Sequence, residues 1–265
     1  LKLFFMLIDH QALGAQILRL EDFFYLSPIQ LPNNHPRRGG VPVLFPQFAD
    51  RGPLKKHGFV RNLNWQLITD AHSLESHQLT YRLQIQEQDM PEWPFCANLE
   101  LSLSATVNDV EISLMICNNG PKPFSWTGGL HPYFFLSNLL DTSIKGLQNQ
   151  RVSNRFDQDQ QIHSTELLTL SNKPLESLFH TSTPLQIISP KQHFTLKSEG
   201  FTEWMIWNPA EQGAGDFIDM PLADWKNFLC VEPVIVSEPL QLLPQASFTG
   251  KLTVTNLLNI ANLQP

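Results

Sequence analysis

NLELSLSATV (residues 98–107) and VEISLMICNN (residues 110–119) decide the fold class. In the first run Leu99, Leu101, Leu103, Ala105 and Val107 occupy every second position, with mostly polar residues between them. In the second, Val110, Ile112, Leu114 and Ile116 share one face in the same way. A period of two marks a strand with one buried face, because successive side chains point to opposite sides of a sheet. Asn108-Asp109 joins the runs, and such a pair readily takes the left-handed backbone of a tight hairpin. Working outward, TYRLQIQEQ (80–88) alternates through Tyr81, Leu83 and Ile85. PLQIISP (184–190), HFTLKSEG (193–200), EWMIWNP (203–209), FLCVEPVIV (228–236) and SFTGKLTVTNLL (247–258) read as further strands. No long segment keeps a helical apolar period, and the stretch from Ala214 to Lys226 reads as a short helix or a loop. Many short strands separated by turn signals predict an all-β, mainly antiparallel protein, a sandwich or barrel with few short helices. With no linker, repeat or low-complexity tract, residues 1–265 are expected to form a single domain.

Composition narrows the partners. Apolar residues make up 42% and charged residues 16%, enough for a packed core and without the signature of disorder. A formal net charge of −7 argues against nucleic acid or an anionic membrane as partner. The charge is uneven, however. Arg37, Arg38, Arg51, Lys55, Lys56 and Arg61 are six of the 18 basic residues, and only Asp50 opposes them in that stretch. This patch reads either as a solvated loop or as the seat of a small anionic ligand. Three cysteines, Cys96, Cys117 and Cys230, with no CxxC spacing, point to neither a disulfide framework nor a zinc site. Reduced thiols in a cytoplasmic protein are the expectation. The opening LKLFFMLIDH is interrupted early by Asp9 and His10, is too short to span a bilayer, and reads as a first strand rather than a leader.

Three places depart from plain strand chemistry. HPRRGGVPVLFPQF (35–48) and KKHGFVRNLNW (55–65) put two arginines before two glycines, then His57 and Arg61 one short segment later. Glycines let the backbone approach a ligand, and the planar arginine fork suits a phosphate. The bland alternative is a surface loop with turn glycines. SWTGGLHPYFF (125–135) sets His131 behind a Gly-Gly pair among Trp126, Tyr133 and Phe134. Rings beside polar groups are what a sugar needs, and histidine is the usual proton-transfer group near neutral pH; a satisfied structural histidine is the competing reading. In FLCVEPVIV, Glu232 lies within apolar residues. Either it faces solvent, or it lines a cleft where burial raises its pKa toward that of a general base. Pro233 beside it predicts that the strand bends or ends there.

RRGGVPVLFPQF, HGFVRNLNW, GGLHPYF, WNP and CVEP occur here in the order they have in the glucose-6-phosphate 1-epimerases (hexose-6-phosphate mutarotases). From about Tyr25 onward the chain resembles that family. The resemblance implies a galactose-mutarotase-like β-sandwich, the supersandwich. It implies His131 as general acid and Glu232 as general base. It further implies Arg38 and Arg61 as ligands of substrate and its phosphate, and His57 as a contact to a sugar oxygen. Glu176 stands where the family typically carries a substrate-binding Asp, in Glu176-Ser177-Leu178-Phe179 rather than Asp-Arg-Val-Tyr. Asp219 is retained after WNP as a further substrate-binding position, although the Trp and Lys that follow WNP in many members are absent. Lys56 stands where some members have Gln. The expected activity is interconversion of the α and β anomers of a hexose 6-phosphate, with no cofactor and no metal, by a monomer or weak oligomer. The alternatives are a non-catalytic carbohydrate-binding or sugar-sensing domain, and an aldose 1-epimerase for unphosphorylated sugars. An acid–base pair speaks for an enzyme, and the paired arginines for a phosphosugar.

Overall fold

The computed structural model describes residues 8–20, 23–32, 35–155 and 157–258. The two runs that opened the sequence reading form the strands Ala97–Thr106 and Asp109–Cys117, paired antiparallel. Leu99, Leu101, Leu103, Ala105, Val110, Ile112, Leu114 and Ile116 are all buried, as the alternation requires. Val107 is an exception. It lies between the strands and is 53% exposed. The tight connection is therefore Val107-Asn108 rather than Asn108-Asp109, and neither Asn108 nor Asp109 has a positive φ. Thr106 explains this: its hydroxyl accepts from the Asn108 and Asp109 amides and holds the turn without a left-handed residue.

These strands lie inside a nine-stranded antiparallel sheet. From edge to edge it runs Leu167–Thr169, Ser143–Lys145, Leu185–Ile188, His193–Glu199, Ser247–Asn256, Asp109–Cys117, Ala97–Thr106, Ser76–Ile85 and Gln66–His72. An eight-stranded sheet runs Asp157–Ile162, Arg151–Asn154, Leu175–Phe179, Glu203–Asn208, Phe228–Leu242, Phe124–Leu130 and Val43–Leu44, and Tyr133–Phe135 pairs alongside Phe228–Leu242. A small hairpin, Asp9–Gln11 with Gln16–Arg19, stands apart from both. The first-strand reading of residues 1–10 falls mostly outside the described residues. The region read as short helix or loop holds the end of a helix, Ala210–Ala214, and a 3-10 turn, Leu222–Asn227. Among the described residues no helix is long and apolar enough to cross a membrane.

The core joins the two sheets, with the Trp126 ring edge-on to Phe248 at 5.0 Å. Alternation then sorts the strands of the eight-stranded sheet. Trp204, Ile206 and Val231 point into this core, whereas Leu178, Met205, Val234 and Val236 join a separate cluster with Leu44, Phe48 and Ala49. That second face carries the candidate site.

The strand does not end at Pro233 but continues from Phe228 to Leu242. The sequence on the neighbouring side shows why proline is tolerated. Tyr133–Phe135 pairs with residues 228–230, and Phe124–Leu130 pairs from Val234 onward. Between them His131-Pro132 leaves a gap in the ladder, opposite residues 231–233, where a missing amide hydrogen costs least. The strand's irregularity comes later, between Ile235 and Leu240.

Candidate active site

Register builds the site. Antiparallel pairing of Cys230 with Tyr133 and of Val234 with Gly129 sets Glu232 directly across from His131. On its other side Glu232 pairs with Met205, and Met205 with Leu178. The next row in register is Glu176, Trp207, Cys230 and Tyr133. Directly opposed residues in a sheet share a face, and from these two rows His131, Glu232, Met205, Glu176, Trp207 and Tyr133 line one cavity of about 260 Å³. Gly128 and Gly129 permit the close packing of the strand that leads to His131. Both have φ near 150°, and a Cβ on either would collide with the carbonyl oxygen of Leu44 or of Pro233.

At the floor, His131 Nε2 lies 3.4 Å from Glu232 Oε1. Both residues are buried, and Glu232 Oε2 and His131 Nδ1 have no hydrogen-bond partner. Tyr133 stacks on the His131 ring at 4.8 Å, and Trp207 and His57 stand edge-on to it. Burial, and next the nearby Glu176 carboxylate, pushes the Glu232 carboxyl well above the usual carboxylate range. Burial, and next the Arg61 guanidinium, pushes His131 down to about 3. Both shifts favour the neutral carboxyl and the neutral imidazole. That neutral pair and its imidazolium–carboxylate tautomer carry the same number of protons, so passing between them requires no proton from solvent.

His57 hangs over this pair from the segment after Phe45. Its own φ is 67°, and its Nδ1 accepts from the Ala49 amide while its amide donates to the Ala49 carbonyl. A ring nitrogen that accepts an amide hydrogen carries none, so His57 presents Nε2–H as a donor. Burial, and then His131 and Arg61, holds its pKa at about 2, which keeps that tautomer neutral.

The cavity wall is cationic. Arg38, Lys56 and Arg61 line it. Arg38 is fixed on three sides: Nε donates to Asp219 at 2.7 Å, a terminal nitrogen reaches the Tyr133 hydroxyl at 3.4 Å, and the guanidinium lies over the Phe217 ring. Arg61 is less satisfied, with a buried Nε that has no partner. Burial pulls its guanidinium pKa down. Glu176 lines the same cavity. Asp219 does not; it sits behind Arg38 and lines an adjoining pocket.

The structure thus gathers His131, Glu232, Arg38, His57, Arg61 and Glu176 around one cavity and puts Asp219 in the layer behind. Arg155, Trp207 and Phe217 also line it, and the sequence reading did not single them out. Trp207 belongs to the WNP motif and alternates with Met205 on one face, a signal that was available. Arg155 lies in the polar stretch NQRVSNRF (149–156) and Phe217 in a loop, where no pattern marks them.

Among the described residues two clusters of donor side chains come within 4.8 Å: His131, Cys230 and Glu232, and His10, Asp70 and His77. Neither is well prepared for a metal. Burial raises the Cys230 thiol, whereas ligation needs a thiolate. His77 accepts from the Ile8 amide on Nδ1 and faces Asp70 with Nε2, so both its nitrogens are engaged.

Residues 25–255 match the aldose 1-epimerase family. This chain belongs to that family. It is 27% identical over 234 residues to a protein from Cenchrus ciliaris named "Putative glucose-6-phosphate 1-epimerase", covering 82% of this chain and 70% of the relative. A protein of the same name from Salmonella typhimurium is 28% identical over 244 residues, 86% of this chain and 79% of the relative. Among solved structures, a mutarotase-like protein of Salmonella typhimurium superposes with a TM-score of 0.80 at 23% identity, covering 94% of this chain and 89% of that one. A galactose mutarotase related enzyme from Lactobacillus acidophilus gives 0.73 at 17% identity, with 96% of each chain covered. These superpositions establish the galactose-mutarotase-like β-sandwich.

Proposed function

We propose that this aldose 1-epimerase family member interconverts the α and β anomers of a hexose 6-phosphate. The observation that carries the reading is a buried carboxyl–imidazole pair, set face to face by strand register, beneath a wall that holds Arg38, Lys56 and Arg61. Glu232 takes the proton of the anomeric hydroxyl while His131 gives one to the ring oxygen. The C1–O5 bond opens, the aldehyde carbon rotates about C1–C2, and the ring closes on its other face with the proton transfers reversed. His57 Nε2–H donates to a sugar oxygen during these steps. Each proton-transfer group accounts for on the order of 10²–10⁴ in rate. The phosphate does not react, so Arg38 and Arg61 serve to anchor and orient.

The test is anomer exchange measured by magnetisation transfer on glucose 6-phosphate and on glucose, each against its spontaneous rate. Faster catalysed exchange on the phosphate is expected. A preference for free glucose would leave the family activity and remove the phosphosugar assignment. Binding without exchange on either sugar would favour a sugar-sensing role.

A further inference from the structure

Arg155 enters the cavity from the strand end that follows Arg151–Asn154, and no motif or expectation assigned it a role. One of its terminal nitrogens lies 3.2 and 3.1 Å from the two carboxylate oxygens of Glu176, and the other lies 3.6 Å from Asp50 Oδ2. Arg155 is about half exposed at 46%, so this ion pair adds little to stability. Its position in the cavity is more informative. In strand order, Glu176 stands three steps from Tyr133, the residue that touches Arg38. At about 4.8 Å per step the two backbones are some 14 Å apart, with Trp207 between them and Glu232 in the neighbouring row. The cavity therefore has a purely cationic end at Arg38 and Arg61 and a second, mixed-charge end at Arg155 and Glu176.

We infer that Arg155 and Glu176 act together as a clamp for two adjacent hydroxyls of the pyranose, making Arg155 a further binding residue of this site. The inference rests on the sugar reading above. A carboxylate alone only accepts hydrogen bonds, and a guanidinium only donates them. Vicinal hydroxyls offer both a donor and an acceptor at neighbouring positions. One donates to a Glu176 oxygen, which keeps lone pairs beyond those facing Arg155, and its neighbour accepts from one of the five N–H groups of Arg155. The ion pair fixes the spacing between the two. Charge-assisted hydrogen bonds of this kind correspond to roughly ten- to hundredfold in affinity each.

The experiment compares wild type with Arg155→Gln on glucose 6-phosphate and its 2-, 3- and 4-deoxy analogues, by calorimetric binding and by anomer exchange in parallel. Wild type should bind one or two of the analogues about tenfold or more weakly than the parent sugar. In R155Q that penalty should shrink to about threefold or less, because the missing hydroxyl no longer loses a partner. KM should rise while kcat stays within a few-fold, since neither clamp residue touches the reacting atoms. An R155Q variant that keeps the full deoxy penalty, or weakens equally toward all four sugars, overturns the clamp. So does a wild type that treats the four alike. Deoxy discrimination in binding without catalysed exchange would sink the epimerase reading and leave the clamp standing. Failure to bind any of the four sugars overturns both.

Discussion

Glu232 and Glu203 sit on adjacent strands of one sheet, on the same face, and each is almost inaccessible, at 1% and 5%. Their surroundings differ completely. Glu203 Oε2 accepts from the amides of Val236 and Ser237, both at 2.9 Å. Its Oε1 accepts from the Ser237 hydroxyl at 2.6 Å and lies 2.8 Å from His180 Nδ1, and His180 is held in turn by Ser153. Those two amides lie where Phe228–Leu242 loses register with its neighbour, so Glu203 supplies the acceptors the ladder does not. Glu232 has one histidine at 3.4 Å and an oxygen with no partner. A saturated buried carboxylate stabilises the fold. An unsaturated one in an open cavity retains the capacity to exchange a proton with a substrate.

The largest expected effect is a reciprocal one. Glu232→Gln should lower the anomer-exchange rate by about 10²–10⁴-fold with the fold intact, whereas Glu203→Ala should cost about 3–5 kcal/mol of stability by leaving His180 and two amides unpaired. Urea denaturation beside exchange rates per folded molecule reads both. His131→Asn should match Glu232→Gln, and the double variant should lose less than the product of the single losses, because the pair acts as a unit. If Glu203→Ala lost catalysis and kept its stability, the contrast between the two carboxylates would collapse.

The same contrast extends to the arginines. Arg38 is bonded to Asp219 and packed on Phe217, while the Arg61 Nε has no partner. Both Arg38→Ala and Arg61→Ala should reduce kcat/KM for glucose 6-phosphate by roughly tenfold to a hundredfold and barely change the slower turnover of glucose. Only Arg38→Ala should also lower stability, because it strands the Asp219 carboxylate. Equal losses on both sugars would assign the arginines a structural role.

The sequence revealed the strands because alternation is local. Leu99 to Ile116 needed no tertiary information beyond one buried face. It also marked Glu232 in FLCVEPVIV and His131 behind Gly128-Gly129 as candidates, each with a bland reading beside it, and their proposed acid and base roles came only from the family resemblance. It could not separate Glu203 from Glu232, since their difference lies in what His180, Ser237 and the strand irregularity bring from 23 to 34 residues away. Nor could it place Asp219 behind Arg38 instead of in the cavity, or bring Arg155 to Glu176. Side-chain partners across strands depend on register, and register belongs to the assembled sheet. That the strand does not end at Pro233 was hidden for the same reason: the proline is tolerated at the ladder gap at His131-Pro132, which only the pairing of both flanking strands creates.

The smallest effect is also the most direct reading of the unsatisfied carboxyl. Burial holds the Glu232 pKa well above its ordinary 4.5. Between the unfolded and folded values the native state therefore binds more protons than the unfolded chain. Stability from this group is fully present below about 4.5 and is lost as pH rises through the folded value. His131 works in the opposite sense: with its pKa pushed from 6.5 to about 3, it contributes stability that is present above 6.5 and lost as pH falls toward 3. Glutamine does not titrate. In a His131→Asn background, which removes the opposing contribution, Glu232→Gln should therefore match its parent in acid and become progressively more stable than it as pH rises. Melting temperatures of His131→Asn and the double variant, taken from acid to mildly alkaline pH, measure that gap. A gap independent of pH would mean that Glu232 ionises in the fold as readily as in the unfolded chain. The carboxyl would then lack the raised affinity for a proton that a base working near neutrality requires.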